Sequence, residues 1–369
     1  MQTDWQKIRK NYPATENYTY FNTASCGLMT TSATACNQDY QQALGEQGSV
    51  YRDTLFAEMQ NVKEVVGDFI GTKAKDIALI PNFSSGINYI VPMLKSLGSV
   101  LLIENDYPSL TFPWQLHQYD VHWVPQTPQA TIDLDQIVHK LRTDSIQILA
   151  ISWVQYLTGF QVAMDELSKV CVEHGVLLIV DATQALGAVP IDLQNTHIDI
   201  LISSCYKWAT AGFGNGILYI HPDVVARFET PVIGKGSTGL FEGVYQPEQM
   251  KLQARIFEVG HYNYGAFLTL RQALQELTEI GQEAIYNRVQ ELTHYFQAGL
   301  PQKYKLISDN DPHYATGIVA IQSENKQLID TLKQANIIVS ARGEGLRISL
   351  HFYNTLEEVD RLLEVLEKG

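Results

Sequence analysis

The chain is short of the residues that staple a fold covalently or through metal. Its four cysteines, Cys26, Cys36, Cys171 and Cys205, are widely spaced and form no C-x-x-C pair. That pattern argues against a disulfide framework or a structural zinc site and fits a reducing cytoplasm. Ten histidines show no H-x-x-x-H or other ligand spacing on a helix, so no metal is expected. Basic residues are also few: 26 Lys and Arg face 40 Asp and Glu, for a net charge of −14. Nucleic acid and anionic membranes need a basic footprint and are therefore not expected as partners, whereas an anionic small molecule needs only a locally basic site. The N-terminal MQTDWQKIRKNYP has no apolar signal region. No apolar run approaches the roughly 20 residues of a membrane helix, so a cytoplasmic location is expected. The dinucleotide fingerprint G-x-G-x-x-G is missing too; Gly212-Phe213-Gly214-Asn215-Gly216 has the wrong spacing and precedes a strand.

What the chain does have is a regular alternation. Its 369 residues suffice for two domains, or for one large domain with an appendage. Short apolar runs over 76–79, 100–103, 146–151, 176–180, 198–202 and 217–220 read as buried strands. Helical patterns cover 32–70, interrupted near Gly45 and Gly48, and 164–173. This rhythm predicts an α/β fold with a mainly parallel central sheet. Residues 221–264 are Gly-rich and predict a long irregular connection. A helical region follows over 266–300, broken at Gly281. Strand and helix patterns over 314–369 then predict a small C-terminal α+β domain. The expected division is a large domain over 21–265 and a small one over 266–369, with residues 1–20 packing on the latter.

Two strand ends carry chemistry. Asp181 closes the run Val176–Val180, and Lys207 follows Ile198–Ile202 among bulky aromatics. Ligands bind at the carboxyl ends of strands in open α/β sheets. A lysine there is partly desolvated, which lowers its pKa and frees the amine as a nucleophile. An acid and a lysine on neighbouring strand ends point to pyridoxal 5′-phosphate (PLP). This cofactor needs a Lys for its Schiff base and an Asp to keep its ring nitrogen protonated. Pro81-Asn82-Phe83-Ser84-Ser85-Gly86 reads as a strand-to-helix turn whose serines either bind a phosphate or simply cap the helix. An aromatic from the stretch after Ile103 is a candidate to stack on a flat ring.

The motifs Phe21-Asn22-Thr23-Ala24, Asp181-Ala182-Thr183-Gln184, Ser204-Cys205-Tyr206-Lys207-Trp208, Phe257-Glu258-Val259-Gly260 and Arg347-Ile348-Ser349, in that order, resemble the class V aminotransferase family of PLP enzymes. Its members include cysteine desulfurases, kynureninase and isopenicillin N epimerase. The resemblance covers nearly the whole chain and implies a role for each matching position. Lys207 would anchor PLP and shuttle the α-proton, Asp181 would pair with the ring nitrogen, and Gln184 would bond the ring 3-hydroxyl. Ser84, the backbone at Phe83, and Ser204 would hold the phosphate. Tyr206 stands where many relatives have a phosphate-touching His. Tyr107 stands where desulfurases stack a His, and Gln155 where the family has an Asn near the ring oxygen. Arg347 would clamp the substrate α-carboxylate, with Asn22 beside it. Arg342 is a turn residue, to be read as solvated or as a second substrate contact. The family also implies a homodimer with shared sites, in which His261 and Asn263 approach the partner's phosphate.

The same resemblance narrows the chemistry. Desulfurases carry a nucleophilic Cys on a loop shortly before the carboxylate-binding Arg. Here 337–347 holds no Cys and no room for a long loop, so persulfide formation is not expected. Transamination between an amino acid and a 2-oxo acid is the favoured reaction. A C–S or β-lyase and an epimerase are the alternatives within PLP chemistry, and a non-catalytic PLP-binding scaffold is the alternative outside it.

Overall fold

The structure, a computed structural model, describes residues 3–229, 232–234, 253–307, 316–325, 327–343 and 345–368. A seven-stranded sheet forms its centre. Its strands are β2 (Ile77–Ile80), β3 (Ser99–Ile103), β4 (Asp120–Val124), β5 (Ile148–Ser152), β6 (Leu177–Asp181), β7 (Ile200–Ser204) and β8 (Gly216–Ile220), preceded in the chain by a two-residue strand β1 (Thr19–Tyr20). The spatial order is β2-β8-β7-β6-β5-β3-β4. Only β8 runs against its neighbours; every other adjacent pair is parallel. The apolar runs explain the layering. Leu101, Leu149, Leu178, Val180 and Leu201 face one hydrophobic cluster, and Val100, Leu102, Ile148, Ile179 and Ile200 face another. Successive residues point to opposite faces, so a strand buried on both sides must be apolar throughout.

Helices cover both faces. Helices α1 (Trp5–Arg9), α2 (Thr31–Gln47) and α3 (Ser49–Ile70) come first; α4 (Phe83–Met93) and α5 (Pro108–Leu116) follow β2 and β3. Helices α6 (Leu134–Thr143), α7 (Met164–His174) and α8 (Pro222–Arg227) complete this part. The interruption expected between 45 and 48 is at Gly48, whose φ of 55° separates α2 from α3, while Gly45 stays helical. Edge strand β4 and helix α6 carry no sequence expectation. The partly exposed Asp-Val-His-Trp-Val of β4 lacks the unbroken apolar run of its neighbours. Of the irregular connection expected over 221–264, residues 230–231 and 235–252 lie outside the described residues, and the described part is more ordered than expected, holding α8 and a short helical turn at Ala254–Phe257.

Two long helices follow, α9 (Tyr264–Ile280) and α10 (Gln282–Gly299), divided at Gly281. A second sheet has the order β12 (Ser340–Arg342), β13 (Gly345–Ser349), β10 (Ile318–Gln322) and β9 (Lys305–Leu306), all antiparallel. Strand β11 (Ile337–Ile338) pairs with β1, and helices α11 (Leu328–Gln334) and α12 (Leu356–Lys368) back this unit. The side chains after residue 265 divide between two cores. Phe267, Leu270, Leu274, Leu277, Ile285 and Val289 belong to the first cluster, whereas Leu292 and Phe296 belong to the small unit's own core. Helix α9 buries its apolar stripe on α2 and α3, and that burial outweighs its position in the chain. The N-terminal segment reaches the C-terminal unit: Tyr12 packs on Tyr353 at 4.9 Å, and Arg9 pairs with Glu358 at 2.8 Å. No described helix is long and apolar enough to cross a membrane.

The turn at 22–27 lies directly on the loop after β7. Gly27 N–H donates to the Tyr206 carbonyl at 2.9 Å, and a Cβ at Gly27 would sit 1.8 Å from the Lys207 carbonyl oxygen. Gly27→Ala is therefore expected to destabilise the protein by about 1–3 kcal/mol through overpacking. Gly45→Ala, where a Cβ meets nothing within 4 Å inside an exposed helix, should stabilise by about 0.5–1 kcal/mol. Thermal unfolding of the two variants by circular dichroism checks both signs.

Candidate active site

The parallel strands β3, β5, β6 and β7 end at one edge of the sheet, and a cavity of about 360 Å³ opens there. It is lined by Asp181 from the end of β6, Ser152 from β5, Ser204 from β7, and Phe83 and Ser84 from the start of α4. Tyr107, Tyr156, Gln184, Tyr206 and Lys207 complete its walls.

The lysine loop is held from three sides. Successive carbonyls of Tyr206, Lys207 and Trp208 accept from Gly27 N, Thr210 N and His351 Nε2 at 2.9, 3.1 and 3.0 Å. The Trp208 indole donates to Gln184 Oε1 at 2.7 Å, and Gln184 Nε2 donates to the Ala24 carbonyl at 3.2 Å. That leaves Gln184 one amide N–H for a ligand. Buried His351 is neutral in this setting, because burial holds its pKa far below the ordinary histidine value, at about 3.

Electrostatics single out the Lys207–Asp181 pair. Burial pushes the Lys207 pKa down, the carboxylate of Asp181 opposes that shift, and Arg347 and Arg342 add to it. Burial pushes the Asp181 pKa up, against hydrogen bonds from Thr183, whose N–H donates to Oδ1 at 2.8 Å. The amine lies 5.6 Å from the centre of the Tyr206 ring and 6.0 Å from that of Tyr107.

At the head of α4 the cap is Asn82, which accepts from Ser85 N at 2.9 Å. Ser84 is thereby released from the capping role that sequence left open, and its hydroxyl bonds Ser109 Oγ at 3.1 Å inside the cavity rim. Ser204 Oγ accepts from Phe83 N at 2.8 Å, tying the helix start to β7.

Arg347 comes from the small unit. It is 2% exposed, donates through Nη1 to the Tyr156 carbonyl at 2.6 Å and through Nη2 to Ser25 Oγ at 2.7 Å, and its Nε has no partner among the described residues. Its pKa is drawn down to about 10 by burial and by Arg342. Asn22 acts one step back, accepting from Ser340 Oγ, which bonds Ser25. Arg342 is exposed and reaches Ser25 Oγ at 3.4 Å.

Of the expected residues, Asn22, Gln155, His261, Arg342 and Arg347 do not line the cavity. Gln155 sits behind the wall, drawn away by Asp106 at 3.3 Å and Gln126 at 3.4 Å, and Tyr156 takes the lining position instead. His261 is exposed and outside the cavity of this chain. In the Phe257–Gly260 motif, Glu258 ties the fold together, pairing with buried Lys63 at 3.4 Å and accepting from Leu79 N at 3.0 Å. Tyr156, Ser25 and Asp106 escaped the sequence reading. A buried acid directly after the run 100–103 was the one available signal for Asp106.

The aminotransferase class-V family model matches residues 19–362, and the chain belongs to that family. It is 23% identical to a probable cysteine desulfurase of Pyrococcus abyssi, over 98% of this chain and 97% of that one. It is 22% identical to the uncharacterized aminotransferase YcbU of Bacillus subtilis, over 97% and 96%. Among solved structures it superposes with a TM-score of 0.89 on C-DES carrying glycine covalently linked to the PLP cofactor, at 20% identity over 99% of both chains.

PLP is accordingly the cofactor, and the cavity fits it. A hydroxyl-lined helix N-terminus suits a phosphate, Asp181 suits a ring nitrogen, and a lowered-pKa lysine suits a carbonyl. In the ligand-free protein, PLP capture should rise with pH ahead of an ordinary lysine. Arg347→Ala removes a positive neighbour that disfavours the ammonium, so it raises the Lys207 pKa. The capture profile is thus expected to move to higher pH, as read by stopped-flow absorbance; an unmoved or lowered profile would contradict this electrostatic account.

Proposed function

We propose that the protein is a PLP-dependent aminotransferase that moves an amino group between an α-amino acid and a 2-oxo acid, acting as a homodimer in the manner of its family. One observation carries the substrate class. Arg347 is a buried cation with no carboxylate partner among the described residues, and only neutral oxygens accept from it. An unpaired buried charge is costly, and a carboxylate bound bidentately relieves that cost.

Bound PLP supplies an electron sink for the Cα of the amino acid. The residues do the rest. Arg347 fixes the substrate carboxylate, which orients the Cα–H bond toward Lys207. Lys207 Nζ, whose pKa burial lowers, would take the α-proton and return it. Asp181 would pair with the ring nitrogen. Tyr107 would stack on the ring, and Ser84 and Ser204 would hold the phosphate. His261 has its role on the partner subunit in this reading.

The second reading is C–S bond cleavage, favoured by the desulfurase name of a relative. Against a persulfide route, Arg342 is the register partner of Gly345, and no Cys lies between Ile337 and Arg347. Incubation of the holoenzyme with a panel of amino acids tests the choice. Keto acid with pyridoxamine phosphate supports transamination. Keto acid with ammonia or sulfide supports a lyase, and the opposite stereoisomer an epimerase. Lys207→Ala should abolish turnover, and Arg347→Ala should raise KM with a loss of about 2–5 kcal/mol in carboxylate binding. Steady-state kinetics of both variants checks these outcomes.

A further inference from the structure

Asp106, between β3 and α5, is 5% exposed and has no cationic partner among the described residues. Its carboxylate takes four hydrogen bonds instead. Oδ1 accepts from Tyr107 N at 2.7 Å and Ser152 Oγ at 2.6 Å; Oδ2 accepts from Ser152 N at 3.0 Å and Gln155 Nε2 at 3.3 Å. Burial pushes its pKa up, and these four donors oppose that shift. A carboxylate buried against dipoles alone is expensive compared with an apolar residue of similar size. What it provides here is geometry.

The four donors come from two segments that form one side of the cavity. The first is Tyr107, whose ring lies 5.4 Å from that of Tyr156 in an edge contact. The second is the stretch from Ser152 to Tyr156, which supplies a cavity wall and the carbonyl that holds Arg347. Ser152 is also the register partner of Asp181. We propose that Asp106 is a positioning residue that locks Tyr107 and the 152–156 turn together, setting at once the face that covers the cofactor ring and the placement of Arg347. The part concerning Arg347 rests on its proposed role as carboxylate clamp; the part concerning the cofactor face does not.

The test uses holoenzyme carrying Asp106→Asn, which is isosteric but turns amide donors toward the donors of Tyr107 and Ser152. Ser152→Ala is the second variant; it keeps the charge and removes one bond. Three quantities are read: the visible circular dichroism of bound PLP, the Kd for PLP, and KM against kcat for the amino acid. Asp106→Asn is expected to weaken the induced dichroism, to raise the Kd and KM about tenfold each, and to change kcat less. Ser152→Ala is expected to move the same quantities the same way by smaller factors. Folded variants with a lowered Tm but unchanged dichroism, Kd and KM would overturn the proposal and leave Asp106 a purely structural residue. If Asp106→Asn fails to fold, unchanged dichroism and Kd in Ser152→Ala overturn it alone. A lyase or epimerase product changes the reading of the reaction but not the dichroism or the Kd, so the two failures are distinguishable.

Discussion

The structure depends on keeping an amine and a carboxylate together at the buried edge of a sheet. Lys207 and Asp181 each lose hydration there, and burial drives both toward their neutral forms. Such a pair is tolerable only where the backbone around it cannot relax away from it. The strand ends provide that rigidity on one side. On the other, the carbonyls on either side of Lys207 are held by Gly27 and His351, from the N-terminal turn and the small unit respectively. Fixing one lysine thus draws together three parts of the chain that are distant in sequence.

The same constraint accounts for the charge distribution. The chain carries −14 overall, yet Arg347 and Arg342 lie near enough to Lys207 to lower its pKa. Acidic residues elsewhere keep the protein anionic, while the cations at the site are left for an anionic ligand. The two arginines act on Lys207 through space, against the opposing carboxylate of Asp181.

Much of the fold was legible in the chain because its strands are buried on both faces. Runs dominated by Val, Leu and Ile mark β3, β5, β6, β7 and β8 to within two residues, because both faces of these strands are buried. Strand β4 was not legible, because an edge strand needs only one apolar side. The stripe of α9 does not say which surface it will meet, and it packs on α2 and α3. At the site, Asp181 and Lys207 follow strand ends and can be read directly. Gln155 and Tyr156 are adjacent, and which one faces the cavity depends on Asp106 pulling the first away.

By itself, the sequence determined the layers, the order of the elements and the two reactive strand ends. These follow from local periodicity and from the cost of putting an acid or a lysine beside a buried run. Only the tertiary structure decided which small residues surround them. Ser25, Asp106 and Tyr156 carry no local signature, and their partners lie as far as 322 positions away in the chain. Gly27 is required by a carbonyl that the sequence places 180 residues on, at Lys207. Periodicity reports what a segment must bury, but contact across the fold depends on the packing of whole elements, and that packing fixes the geometry of this site.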